Sequence, residues 1–418
     1  MTEPGLQAYL RQTHAVPGSV FYREPGLALR DFQKGMMPMT MIYLIRHAQA
    51  EGNVYRRCQG WYNSLITPKG YLQIEALERR FRDTHFDAVY SSDLFRTMTT
   101  AGAIYRSHGL PLHTDPQLRE VGTGCWEDHT WGDLLHTERD SLLAFWRCDP
   151  NWQVPGSESF PAIQARFHTA VEQIANSHPD QTIAIVAHGS VIRSGLAYWF
   201  GLPAERINDV PHGDNTCVAR LEYQDGRMKV CYYNDVSHLP PELVYTPHQT
   251  DNSDDALAAG LERTSLYFRP LELPQDGAFY LSSLRDSRLV SQGTSDGFDG
   301  GAALSTAKEL CSCDPNSILV AMRGTAPIGL LQMDITQQSD ADAGGISLVY
   351  LTPEARYQGL GVQLLGQAVS VWRSLGRQYL RLCCNGNMER RFFEKHGFTP
   401  SGRRGADTME LYIGYDAK

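Results

Sequence analysis

The chain predicts two domains of mixed class. The first is a three-layer α/β domain with a mostly parallel sheet, and the second is a C-terminal α+β domain. Three observations predict this. The 418 residues exceed what one ordinary hydrophobic core organises. Over residues 41–235, short apolar runs alternate with helical stretches, the pattern of strands joined through crossover helices. A polar stretch, Thr246–Asp255, then breaks the apolar pattern, and a new one starts at Leu266. The expected divisions are an unperiodic, poorly ordered extension over residues 1–38, a first domain over 39–245, a linker over 246–264 and a second domain over 265–418.

In the first domain the apolar runs predict strands at Met41–Ile45, Ala88–Ser91, Ile183–Ala187, Cys217–Glu222 and Lys229–Tyr233. Helical spacing predicts helices at Pro68–Phe81, Asp93–Tyr105, Phe160–Asn176 and Ser190–Phe200. Thr67-Pro68 reads as an N-cap followed by proline at the first helical position. Chemistry collects where strands end, as ligand sites of parallel sheets do. The first strand runs into Arg46-His47-Ala48, the second into Ser91-Ser92-Asp93 and then Arg96, and the third into His188-Gly189-Ser190. Leu118-Arg119-Glu120 lies between the last two. A fixed cation beside an imidazole suits attack on a phosphoryl group, because the guanidinium neutralises phosphate oxygens and the imidazole can accept phosphorus covalently.

These motifs, in this order, resemble the histidine phosphatase (phosphoglycerate mutase-like) superfamily over roughly Met39 to Tyr245. Ala48 stands where that family usually has glycine, and Gly156-Ser157-Glu158-Ser159 where it often has Gly-Gly-Glu-Ser. The resemblance implies that His47 is the nucleophile and that Arg46, Arg96 and His188 line the phosphate pocket. It makes Glu120 the general acid and then the base toward water, with Glu127 and Asp128 as nearby alternatives. Asn53, Gln59 and Gly189 would contact the substrate. No metal is required. Hydrolysis of a small phosphomonoester is the favoured outcome, with phosphoglycerate mutase chemistry as the alternative.

In the second domain, Ile318–Arg323 and Pro327–Asp334 predict a hairpin, and Ile346–Leu351 a further strand. Arg356-Tyr357-Gln358-Gly359-Leu360-Gly361 then opens a helix over Gln363–Leu375. Glycines at a helix start expose main-chain N–H groups that a pyrophosphate can approach closely. With Tyr379–Cys383 and Phe392–Phe398 following, the region resembles GNAT-type N-acetyltransferases. The resemblance implies acetyl-CoA and an amine as substrates, and places Val349, Leu351, Arg356, Gln358, Gly359 and Gly361 at the cofactor. Phe393 stands where the family often has a tyrosine that protonates the leaving thiolate, which phenylalanine cannot do. The second domain is therefore expected to be either a transferase or a non-catalytic acetyl-CoA sensor.

A net charge of −9 without any long Lys/Arg block argues against nucleic-acid or membrane-surface partners. No apolar run approaches the roughly 20 residues of a membrane span, and no signal peptide is visible. The nine cysteines lack a repeating frame and read as thiols of a reducing cytoplasm. Oligomeric state is not legible.

Overall fold

The computed structural model describes residues 38–244, 253–335, 342–384, 386–402 and 407–415. The expected extension, Pro38 apart, and residues 246–252 of the expected linker lie outside those residues. The described chain forms two compact units.

The first unit comprises the described residues of Met1–Ala50, Gln59–Glu127 and Asp140–Thr250. Its six strands are β1 (Thr40–Arg46), β2 (Ala88–Ser91), β3 (Leu112–Thr114), β4 (Thr182–Ala187), β5 (Val218–Gln224) and β6 (Arg227–Asp235), ordered β3-β2-β4-β1-β5-β6. The first four run parallel, and β5 and β6 are antiparallel additions at one side. After Thr182, β4 is apolar and buried from Ile183 to Ala187, as a strand covered on both faces must be. Helices α1 (Pro68–Phe81) and α2 (Phe95–His108) cover one face, where Leu77, Phe81, Ala101 and Ile104 pack with Ile45, Val89, Ala184 and Val186. Helices α3 (Phe160–Asn176) and α4 (Gly189–Trp199) pack on each other and against β1.

The local signals act as expected. Thr67 caps α1 by accepting from the Gly70 N–H at 3.0 Å. Gly70 is obligatory there, because a Cβ would lie 2.2 Å from the Gln49 carbonyl oxygen. Helix α2 starts two residues later than the spacing suggests, since Ser92 accepts from the Leu94 N–H and holds Ser92–Leu94 as a turn.

The second unit joins the described residues of Asp251–Lys418 with Glu51–Cys58 and Asp128–Arg139. Its strands are β7 (Tyr267–Pro270), β8 (Ile318–Arg323), β9 (Ala326–Met333), β10 (Ala343–Leu351), β11 (Tyr379–Cys383), β12 (Thr399–Pro400) and β13 (Thr408–Tyr412), ordered β12-β13-β11-β10-β9-β8-β7. Only β10 and β11 pair in parallel, and their pairing runs from Ala343–Tyr379 to Ile346–Leu382. β10 continues to Leu351 on β9 alone, so the two parallel strands part beyond Ile346. Helices α5 (Gly277–Gln292) and α6 (Gly300–Cys313) pack with Ile318, Val320 and Leu330. Helix α7 (Gly361–Ser374) packs Leu364, Leu365, Val369 and Trp372 with Leu319, Ala321 and Leu331. Helix α8 (Asn387–Lys395) completes the unit.

Two findings depart from the contiguous domains expected. Asp254–Thr264 is a helix capped by Ser253, not a linker, and it buries Leu257, Ala258 and Leu261. Acidic neighbours mask this short apolar stripe in the sequence. The strips Glu51–Cys58 and Asp128–Arg139, drawn from within the first expected domain, fold with the second unit. Arg373 holds Glu51 through both carboxylate oxygens at 3.1 and 3.0 Å, Arg57 pairs with Asp128 at 2.6 Å, and Thr130 donates to the Leu266 carbonyl at 2.8 Å. Tyr55 lies against Gly366, where a Cβ would come within 2.4 Å of its ring.

Candidate active site

Sheet register assembles the centre of the first unit. Arg46 on β1 pairs with Ala187 on β4, so the next residues, His47 and His188, emerge side by side. Their ring centroids are 5.3 Å apart. β2 flanks β4 on its other side and delivers Ser92, with Arg96 the second residue of α2. His47, Arg96 and His188 are all at most 2% exposed.

Hydrogen bonds set the tautomers. The Nδ1–H of His47 donates to the Ala48 carbonyl at 2.7 Å, which leaves its Nε2 lone pair unprotonated. The Asn215 amide donates to the His47 carbonyl at 3.0 Å and fixes the main chain beneath the ring. In His188, Nδ1 accepts from Arg96 Nε at 3.1 Å, so Nε2 carries the hydrogen donated to Ser92 Oγ at 2.7 Å. One donor from each terminal nitrogen of Arg96 holds a carbonyl, that of Tyr62 at 2.9 Å and that of Gly60 at 2.8 Å. Burial, then the Arg96 and Arg46 charges, hold the His47 imidazole well below its usual pKa. Burial and the Arg96 charge depress His188 likewise. Both rings are neutral near pH 7.

Arg46 supplies an open donor. One terminal nitrogen donates to the Gly213 carbonyl, while its buried Nε has no partner among the described residues. An orphaned cationic N–H is costly unless an anion completes it. Gly189 leaves room for that guanidinium, since a Cβ there would stand 3.3 Å from Arg46 Nε.

The half-buried Glu120 carboxylate accepts from the N–H groups of Val121, Ser190 and Val191 at 3.1–3.2 Å, the last two at the start of α4. Glu127 accepts from the Trp61 N–H at 2.9 Å, and burial raises its pKa. Gln59 accepts from Ser64 Oγ at 2.7 Å. Asn53 lies on the short helix Glu51–Val54, and Asp128 is the partner of Arg57; both belong to the second unit. His47, His188, Arg46, Arg96, Glu120, Gln59 and Gly189 all belong to the first.

Several residues escape sequence reasoning. Asn215 and Gly213 act through single contacts from distant loops and carry no motif. Trp61 donates its indole N–H to the Glu120 carbonyl at 2.8 Å.

In the second unit, the turn before α7 places Tyr357 at φ +60° and Gly359 at φ +75°, with nothing within 4 Å of a Cβ at Gly359. No side chain caps the start of α7. This open, left-handed turn fits close approach by a pyrophosphate. Two side chains expected at the cofactor are engaged elsewhere. Arg356 pairs with Asp286 and donates to the Leu351 carbonyl at 2.9 Å, and Gln358 accepts from Arg323 at 2.8 Å. Val349 and Leu351 lie on the part of β10 that has left β11. Phe393 is buried against Phe398, and Phe392 is the ring nearest Gly361, so neither position offers a hydroxyl.

Two family models and several known proteins match parts of the chain. A sequence model described as the histidine phosphatase superfamily (branch 1) matches residues 42–236. A protein of Hydrogenobacter thermophilus, provisionally named phosphoserine phosphatase 2, is 30% identical over 48% of this chain and 98% of its own. The chain belongs to the histidine phosphatase superfamily. A protein of Yersinia pestis provisionally named phosphoglycerate mutase GpmB is 29% identical over 45% of this chain and 86% of its own. Among solved structures, YhfR of Bacillus stearothermophilus is 31% identical over 48% of this chain and 98% of its own, with a TM-score of 0.46. A second model, the acetyltransferase (GNAT) domain, matches residues 314–400. The histidine phosphatase domain is thus joined to a GNAT domain in one chain.

Proposed function

We propose that the first unit is a phosphohistidine-dependent phosphatase of a small phosphomonoester, and that the second transfers an acetyl group from acetyl-CoA to an amine. The observation that carries the first reading is the orphaned Arg46 N–H beside an imidazole kept neutral with its Nε2 lone pair available. A phosphate dianion completes the donor and meets the nucleophile.

In the first step, His47 Nε2 forms a bond to phosphorus as the ester P–O bond breaks, and Glu120 gives its proton to the departing oxygen. In the second step, water attacks phosphorus, its proton passes to Glu120, and inorganic phosphate leaves His47. Charge stabilisation by Arg46 and Arg96 supplies most of the rate, as phosphoryl transfer requires. Gln59 and Gly189 are the further substrate contacts of this reading within the first unit. Glu127, raised by burial, is the competing acid, and Glu120→Gln and Glu127→Gln assayed in parallel assign the role.

The test is phosphate release from a panel of phosphomonoesters by the wild type and His47→Ala, with quenching in alkaline detergent to trap the phosphoenzyme. Release by the wild type alone, with an acid-labile, base-stable phosphate on His47, supports the proposal. A phosphoenzyme that passes its phosphate back to a phosphoglycerate without releasing free phosphate makes the domain a mutase, the activity named for the Yersinia relative.

For the second unit, the turn Gln358–Gly361 would hold the pyrophosphate of acetyl-CoA, with Val349 and Leu351 beside it. The amine nitrogen attacks the thioester carbon, the C–S bond breaks and free thiol is released. Phe393 favours one alternative, an acetyl-CoA sensor without turnover. Calorimetric binding together with thiol release over an amine panel supports transfer, and binding without release supports the sensor. All nine cysteines are free, and no helix among the described residues is long and apolar enough to cross a membrane. We place the protein in the cytoplasm on the first of these grounds.

A further inference from the structure

Arg166 on α3 commits its whole guanidinium to the loop that carries Glu120. Nε and Nη2 grip the two oxygens of Glu158, each at 2.9 Å. Nη1 donates to the carbonyls of Gln117 and Arg119 at 2.6 and 3.1 Å, and Nη2 also donates to the carbonyl of Glu120 at 3.3 Å. An arginine has five N–H donors, so none remains for a ligand. Glu158 closes the loop from its other end. It accepts from the Gly122 N–H and donates its own N–H to the Gly122 carbonyl, both at 2.9 Å. The pair is 13% and 20% exposed, sheltered enough for a bidentate fork to hold its geometry. The Glu120 side chain is thereby presented to the first N–H groups of α4, the helix that begins directly after His188.

We propose that Arg166 and Glu158 are positioning residues for Glu120. They touch neither phosphate nor nucleophile, and they act by fixing Gln117–Gly122 so that the Glu120 carboxyl meets the departing oxygen. This rests on Glu120 being the acid. It requires that loss of the clamp penalise substrates in proportion to their need for a proton. An alkoxide leaves poorly without one, whereas p-nitrophenolate leaves readily. A role in folding alone would penalise both esters equally.

The experiment compares kcat/KM for glycerol phosphate and p-nitrophenyl phosphate in wild type, Arg166→Lys, Glu158→Gln, Glu120→Gln and Arg166→Lys/Glu120→Gln. This parameter reports the chemistry only up to the first P–O cleavage, before water is activated. Lysine keeps the charge but cannot serve five acceptors. Arg166→Lys and Glu158→Gln are each expected to lose about tenfold or more on the alkyl ester relative to the aryl ester, part of the ~10²–10⁴-fold that general acid catalysis supplies. The double variant is expected to be no worse than Glu120→Gln, since both changes remove one interaction. Equal losses on both esters, or additive losses in the double variant, overturn the proposal while leaving a His47-dependent phosphatase intact. If Arg166→Lys fails to fold, Glu158→Gln carries the same comparison. Phosphate release that survives His47→Ala overturns the parent reading instead.

Discussion

A histidine that attacks phosphorus must be neutral, and the surroundings of His47 keep it so by burial and by two guanidiniums whose charge opposes a third. The folded-state pKa lies well below 6.5, so kcat/KM should stay flat as pH falls through 6.5 and drop only further down. Stability behaves differently. Below about 6.5 the unfolded chain takes up protons at His47 and His188 that the folded chain does not, so stability is full above that pH and is lost as pH falls through the window below it. Thermal midpoints measured from pH 8 to 5 should therefore decline before activity does. Arg46→Lys should cost roughly 10²-fold or more in kcat/KM, because a single ammonium cannot hold the Gly213 carbonyl and also present the orphaned donor. At this scale the sequence was readable where chemistry is local. Arg46-His47, Arg96 and His188 each sit beside a recognisable strand end. Asn215 and Arg166 reach the site from loops and helices far along the chain, and no spacing rule connects an arginine in α3 to a carbonyl at Glu120.

Elements with a clear apolar pattern were read best. The apolar runs at Ala88–Ser91, Ile318–Arg323 and Tyr379–Cys383, and the capped helices at Pro68–Phe81 and Phe160–Asn176, lie where pattern and capping residues place them. β3 was not read, since it has three residues, two of them exposed, and so shows no periodicity. Helices α5 and α6 were not read: they fully bury only Gly277, Tyr280, Ser283 and Ala307, and the rest of their apolar stripe, Leu284, Leu304 and Leu310 among it, is partly exposed. The close approach of α7 to β10 is equally invisible in sequence. A Cβ at Gly344 would lie 2.0 Å from the Trp372 ring, so Gly344→Ala should destabilise the GNAT unit by about 1–3 kcal/mol as the indole is forced from its place. Urea unfolding followed by tryptophan fluorescence measures this, and acetyl-CoA affinity should fall with it.

Taken whole, the chain is less modular than its two family matches suggest. The Glu51–Arg373 pair is buried at 8% and 9% side-chain exposure, and it ties a strip beginning four residues after the candidate nucleophile to α7. Removing one member of such a pair strands the other, at a cost of about 3–5 kcal/mol. Arg373→Met should therefore lower the thermal midpoint by several degrees, whereas the surface change Arg139→Met, at the 49%-exposed Arg139–Asp255 contact, should leave it within error. Differential scanning calorimetry separates the two. Sequence pattern showed both folds because each has its own hydrophobic run. The transfer of the two strips was hidden, because membership of a unit depends on contacts rather than on order along the chain.

That one-way transfer has a consequence for a nicked molecule. A protease cutting between Val244 and Ser253 would make two polypeptides but release neither, because the larger fragment contributes Glu51–Cys58 and Asp128–Arg139 to a body whose sheet belongs to the smaller. The fragments should migrate together on a native gel and separate only in denaturant. Recombination at the same point would hand a new host an acetyltransferase fold missing two of its own walls.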